Sequence, residues 1–231
     1  NGPMITNPGA GPGGSDVSLT QPPGTLIGAG AQQAVPNRVA EDFTVTGSGW
    51  DIDTITFYSY QTGSTTTPTI TGVTVRIWDG VPGAGGSNVV WGDDTTNVFG
   101  SATWTGIYRA GNTTPTDTTR PVMAVVANTP VSLPPGTYWM DYALSGTLAS
   151  GPWVNPVAIP GSHPVGNALQ AQGVGGAFNP LLDAGSATQV TLPFSIVGTS
   201  GGGGGGCSAP SDIPWLSVSP LTGTVAGGGG T

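Results

Sequence analysis

Between residues 38 and 198 apolar and polar side chains alternate with a period of two, stretch after stretch, and no segment carries a helical period with caps. That pattern restricts the chain to sheet, because only a pleated strand puts every second residue on one face. Val39-Ala40-Glu41-Asp42-Phe43-Thr44-Val45 alternates. So does Trp50-Asp51-Ile52-Asp53-Thr54-Ile55-Thr56-Phe57-Tyr58-Ser59-Tyr60, with Ile52 and Asp53 on opposite faces. Further strands are expected at Ile70–Trp78, Ser87–Trp91, Thr103–Arg109, Val122–Val126, Thr137–Leu144, Ala168–Gln172 and Gln189–Val197. Turn residues such as Asp79-Gly80-Val81-Pro82-Gly83 and Pro134-Pro135-Gly136 separate them. Short strands with Gly/Pro turns predict an all-β fold: an antiparallel β-sandwich or jelly roll over residues 38–199.

The flanks differ. Residues 1–37 are rich in Gly, Pro, Ala and Gln and read as an extended arm with one short strand near Val17-Ser18-Leu19. Residues 200–210 hold six consecutive glycines, Gly201 to Gly206, and read as a linker. Residues 211–231 read as the first strand of a second repeat or as an inter-subunit arm. Such Gly/Pro-rich stretches bury too little apolar surface to fold alone. Ordering each residue costs about 1–2 kcal/mol of backbone entropy. The apolar residues that offset this are Val17, Leu19, Leu26 and Ile27 in one arm and Ile213, Trp215, Leu216 and Val218 in the other. The expected partner is therefore another copy of the chain, an arm adding a strand to its sheet edge; the alternative is that both arms fold back on their own sandwich. Repeated head to tail, that contact makes an open filament.

Charge limits the partners further. Only 7% of residues are Asp, Glu, Lys or Arg, against roughly 25% in an ordinary soluble domain. There is no lysine, one glutamate (Glu41), and the basic residues are Arg38, Arg76, Arg109 and Arg120. A net charge of −8 argues against nucleic acid and anionic membranes, which need clustered cations. No apolar run approaches the length of a membrane-spanning helix, so no membrane insertion is expected. A surface of Thr, Ser, Asn, Gln and Gly has few charges to guard strand edges. It suits a secreted protein in the extracellular space or at the cell surface.

Catalytic chemistry is poorly provided for. His163 is the sole histidine and lies in a loop after Ile159-Pro160-Gly161, which gives no Ser-His-Asp or Cys-His set by sequence. Asp51 and Asp53 share a strand face, and strand-edge solvation explains them more simply than glycoside hydrolysis. No cofactor is required. Ca²⁺ is the metal the residue types suit best, as a structural ion held by Asp79, Asp93, Asp94 and Asn97. The plainer reading makes these aspartates Asx-turn formers. For ligand stacking the candidates are Trp153, flanked by Gly151-Pro152 and Val154-Asn155-Pro156, with Tyr58 and Tyr60, and the ligand class would be polysaccharide.

Two resemblances add to this. Residues 211–225, with Ile213-Pro214-Trp215-Leu216-Ser217-Val218-Ser219-Pro220 and the Gly223-Thr224 turn, resemble the opening of a BACON-type immunoglobulin-like repeat. That resemblance implies a secreted bacterial multidomain protein with a link to carbohydrate or mucin adhesion, and it brings no catalytic residue. It also implies a partner for Cys207 beyond Thr231; a free thiol is the other reading. The stretches Glu41–Val45, Trp50–Phe57, Val75–Gly83 and Leu133–Trp139 are similar to a jelly-roll module at the front of secreted bacterial proteins. The expectation is a non-enzymatic structural protein, a self-assembling subunit of an extracellular fibre or surface layer joined through its terminal arms. The alternative is a carbohydrate-binding or adhesion module of a larger secreted protein.

Overall fold

The first sheet is organised around β4, the most strongly alternating stretch of the sequence. In a computed structural model that describes residues 4–200, fifteen strands follow one 3-10 turn at Pro12–Gly14. They are β1 (Asp16–Leu19), β2 (Ala29–Gly30), β3 (Arg38–Val45), β4 (Trp50–Tyr60), β5 (Ile70–Trp78), β6 (Val89–Gly92), β7 (Phe99–Ala110) and β8 (Pro121–Leu133). The remainder are β9 (Gly136–Gly146), β10 (Trp153–Val154), β11 (Leu169–Ala171), β12 (Asn179–Pro180), β13 (Leu182–Asp183), β14 (Thr188–Gln189) and β15 (Phe194–Ser200). One sheet has the order β1-β7-β8-β4-β10-β2, with β15 also paired to β4. The other has the order β12-β11-β3-β9-β5-β6, and β13-β14 form a separate hairpin. Pairing is antiparallel throughout both sheets except between β1 and β7. The all-β sandwich expected from the alternation is the fold.

Alternation explains which residues meet in the middle. Ile55 and Phe57 of β4 face inward, as do Val39 of β3, Val75 and Ile77 of β5, and Met140, Tyr142 and Leu144 of β9. Phe57 and Tyr142 stack between the sheets, ring centroids 3.9 Å apart at 21°. Each aromatic so buried contributes about 1.5–3 kcal/mol. One irregularity breaks strict period two. Ile52, Ile55 and Phe57 are all buried, although Ile52 and Ile55 differ by three. Asp53 absorbs the difference, because the register against both β8 and β15 skips it between Ile52 and Thr54. On β8 the same irregularity falls at Thr129 and Pro130. A proline is tolerated in a central strand there, where the ladder is already interrupted. The expected Val122–Val126 strand is therefore longer than the sequence reading gave, and Gln189–Val197 splits into β14 and β15 across Pro193, which has no N–H to donate.

The N-terminal stretch does not behave as an extended arm. Its predicted strand at Val17-Ser18-Leu19 exists as β1, and it runs parallel to β7 of the chain's own sheet. Val17 is buried at 2% exposure, and Leu19, Leu26 and Ile27 are half-buried. Ala29 and Ala31 enter the main core. The cause is Arg109, which the sequence alone leaves as one cation among four. It is buried at 2% exposure. Its guanidinium donates to the Ile27 carbonyl at 3.0 Å, the Leu26 carbonyl at 2.8 Å and Ser18 Oγ at 3.1 Å. Asp183 completes the tie by accepting from the backbone N–H groups of Thr25 and Leu26. Residues 4–37 thus belong to the sandwich that the sequence reading started at residue 38. Ile213, Trp215, Leu216, Val218 and Cys207 lie outside the described residues.

Scarce charges are used inside the fold. Arg38, Glu41, Arg109, Asp141 and Asp183 are all buried. Asp141 is fully enclosed on the outer face of the second sheet and accepts from Arg38 Nε, from Arg76 Nε at 2.9 Å and from Trp78 Nε1. Arg76 also lies over the Trp78 ring, 5.1 Å from its centroid. Beside this network Trp139, Ala40 and Leu169 form a second apolar cluster. The surface is left poorer in charge than the composition suggests.

Candidate functional site

A large cavity lies along one side of the sandwich, where the two sheets part. It holds about 550 Å³ between β3, the start of β4 and β15. Local sequence creates it in two steps. Beyond Ala40, β3 has only β9 beside it, because β11 ends its pairing at Arg38–Ala40. Across the gap, β15 pairs along its whole length with β4 and with no other strand among the described residues. The seam therefore runs between two free strand edges. Its walls are aromatic: Phe43, Trp50 and Phe194, with Phe43 stacked on Trp50 at 6.4 Å and 15°. Asp42, Thr44, Ser195 and Thr199 add polar groups, and no cation lines it.

Glu41 closes one end of the seam. It sits at 2% exposure on β3, and its carboxylate accepts from Leu192 N at 2.7 Å and Thr191 Oγ1 at 3.1 Å, just before β15 begins. Burial pushes its carboxyl up to about 7, the two hydrogen bonds opposing that rise. Burial likewise pushes the Tyr142 hydroxyl well above its ordinary range.

A second, shallower groove of about 390 Å³ brings together two of the three aromatics singled out for stacking. Tyr60 and Trp153 line it with Arg120, Thr62, Ser150 and the partly exposed Leu182. They meet because Trp153 pairs with Tyr60 across β10 and β4. Trp153 is half-buried, and its indole N–H donates to Ser150 Oγ at 3.2 Å. Tyr60 is 2% exposed and its hydroxyl is pushed up to about 12 by burial, so it serves mainly as core. Tyr58 is not in the groove; it packs with Met4, Ile107 and Val122 on the other face.

The four oxygen donors proposed for Ca²⁺ are spread along one hairpin and each is already used. Asp79 accepts from Asn88 N at 2.6 Å and from its side-chain amide, which holds its carboxyl below the usual range. Asp93 follows Gly92 at the other end of the same ladder. It accepts from the backbone and hydroxyl groups of Thr96 and Thr95, and those hydrogen bonds hold its carboxyl well below the usual range. Asp94 faces Arg76 at 3.6 Å, and Asn97 Oδ1 accepts from Val73 N and Phe99 N. Among the described residues no group of three or more His, Cys, Asp or Glu gathers in one place. Asx-turns engage Asp93 and Asn97, a bond across the hairpin engages Asp79, and the ion pair with Arg76 engages Asp94.

His163 has a contact the sequence did not reveal. Its Nε2 lies 2.9 Å from Ser186 Oγ, which also lies 2.8 Å from Thr188 Oγ1. A nucleophile–base pair needs a third group to orient the imidazole. The nearby carboxylate of Asp183 is engaged by the backbone N–H groups of Thr25, Leu26, Gly185 and Ser186. The pair ties two loops together.

Comparison with protein-family models, with curated proteins and with solved structures finds no match to this chain.

Proposed function

We propose that the chain is a non-enzymatic structural protein of the secreted class that assembles with copies of itself in an extracellular fibre or surface layer. The observation that carries this reading is the edge of β15 that no strand among the described residues pairs, beside an apolar seam. Strand edges in monomeric proteins are guarded by charge, proline, bulges or cover. Here a seven-residue edge has a wall of aromatic side chains next to it and almost no charge around it. Strand addition is the association such an edge supports, main-chain hydrogen bonds giving affinity and alternate side chains giving specificity. Residues 4–37 are used within the sandwich, and residues 201–231 lie outside the described residues.

The test is particle size by light scattering and electron microscopy. The intact chain should form dimers or larger particles, and Val197→Lys with Thr199→Lys should reduce them to monomers. Intact protein that stays monomeric at all concentrations removes the proposal. Ending the chain at Ser200 separates the contribution of the arm from that of the edge. On this reading polysaccharide, ester and peptide substrates all go unhydrolysed; turnover lost in His163→Ala or Ser186→Ala would make the chain an enzyme.

A second reading rests on the Tyr60–Trp153 groove. A half-buried indole beside the Arg120 guanidinium and the hydroxyls of Thr62 and Ser150 offers a stacking face with polar neighbours, the combination that sugars use. That would make the chain a carbohydrate-binding or adhesion module. Retardation in polysaccharide-containing gels, abolished by Trp153→Ala, would support it.

A further inference from the structure

Apart from the β3 edge across the seam, the sandwich has four other margins among the described residues, and each is guarded. At the β1 end of the first sheet, residues Thr6 and Asn7 lie against Val17 and take its backbone hydrogen bonds. The β2 end is two residues long. In the second sheet, the β12 end is two residues long and contains Pro180. The β6 end is four residues long, its register is interrupted against β5, and Asp93-Asp94 follow it. Among the described residues β15 has none of these devices. Phe194-Ser195-Ile196-Val197-Gly198-Thr199-Ser200 carries no charge and no proline. The register shift beside it is absorbed by Asp53 on β4, so β15 itself runs unbroken. Val197 at its centre is 57% exposed.

We propose that the partner of β15 is β15 of a second copy, paired antiparallel about a two-fold axis through Val197. The inference rests on the reading that the chain associates with itself, and it names the partner strand and the symmetry. The strand is complementary to itself in that register. Ile196 falls opposite Gly198 and Phe194 opposite Ser200, so each large side chain of the seam face meets a small one. On the other face Ser195 falls opposite Thr199, a hydroxyl pair of the kind that stabilises antiparallel strands. Val197 meets its own copy at the axis. The interface is isologous, so this contact alone closes a dimer; a longer assembly adds a different contact to it. One strand edge lies at the small end of stable interfaces, so a covalent trap reads it best.

The experiment places single cysteines on the edge of the full chain in a Cys207→Ser background and follows disulfide formation under mild oxidation. Residues directly opposite in antiparallel strands have Cα atoms within the range a disulfide spans. Val197→Cys should therefore form a covalent dimer about tenfold faster than Ser195→Cys, whose own copy lies several residues away along the ladder. Chains carrying Ser195→Cys mixed with chains carrying Thr199→Cys should cross-link to each other faster than either does alone. Equal rates at 195 and 197 overturn the register. Absence of the Val197→Cys dimer while light scattering still shows particles overturns the symmetric pair and leaves self-association standing. Monomers throughout overturn both.

Discussion

The segment from Met4 to Gly30 and the strand β15 both lie along the first sheet, and both are built from glycine, hydroxyl and scattered apolar residues, yet only the first is tied down. Buried charge makes the difference. Arg109 satisfies the Leu26 and Ile27 carbonyls and the Ser18 hydroxyl, while Asp183 gathers the Thr25 and Leu26 N–H groups from the other side. Two side chains thereby fix a stretch that has too few apolar residues to fix itself. β15 receives a full ladder from β4 on one side, and nothing among the described residues covers the other. The sequence reads the first as an arm and most of β15 as the sandwich strand Gln189–Val197. What separates them is whether a distant polar residue reaches the backbone.

The largest expected effect breaks the tie at the first region. Arg109→Ala removes three hydrogen bonds to a charged donor, each worth about 1.5–3 kcal/mol, and should cost about 4 kcal/mol by urea denaturation. Asp183→Ala should cost a comparable amount, since it leaves the N–H groups of Thr25, Leu26, Gly185 and Ser186 without their acceptor. Neither should alter the behaviour of the β15 edge in any population that remains folded. A loss below about 1 kcal/mol in both variants would mean that the N-terminal segment is held by packing alone.

Next in size is an effect of pH that belongs to the seam. Glu41 has its carboxyl raised from 4.5 to about 7, chiefly by burial. A raised acid binds its proton more tightly folded than unfolded. Its contribution is therefore fully present below about pH 4.5 and is lost as pH rises to about 7. At 1.36 kcal/mol per unit, the difference approaches about 3 kcal/mol. Stability measured by denaturant midpoint should fall across that window, and Glu41→Gln should flatten the fall. The hydrogen-bonded carboxylates of Asp79 and Asp93 act in the opposite sense and only at lower pH, because theirs are depressed. An unchanged slope in Glu41→Gln would show that the carboxylate does not titrate in the folded chain within this window.

The sequence carries the sheets openly and the sites hardly at all. Alternation at Trp50–Tyr60 or Arg38–Val45 is a local signal, and each strand stands where it points. The errors of extent have local causes as well: Pro130 conceals the length of β8, and Pro193 divides β14 from β15. Partnerships are different because they join residues far apart in the chain. Arg38 meets Asp141 across 103 positions, and Arg109 meets Leu26 across 83. Nothing in the spacing of four arginines says which are internal ties. The pairing of Trp153 with Tyr60 rests on β10 lying beside β4, which a two-residue strand does not announce. The seam is less visible still, because it is defined by where β11 stops along β3. The aspartates of the β5–β6 hairpin were legible in kind, as oxygen donors near turns; the turn reading fits Asp93, while Asp79 and Asp94 take partners from across the hairpin.

The smallest expected effect is on stability at the second region, and it sharpens the comparison most. Val197 is exposed and sits in a strand whose hydrogen bonds to β4 are main-chain. Val197→Lys should change the unfolding free energy of the monomer by no more than about 0.5 kcal/mol, the usual range for a surface position. The same substitution puts two ammonium groups face to face at the proposed two-fold axis, where like charges directly opposite are destabilising. Association should then fall while stability holds, and added salt should restore part of it by screening. Arg109→Ala gives the reverse signature, a large loss of stability with the edge itself unaltered. If Val197→Lys instead destabilised the monomer as Arg109→Ala does, β15 would be as firmly built in as the N-terminal segment, and the distinction between a tied margin and an open one would fail.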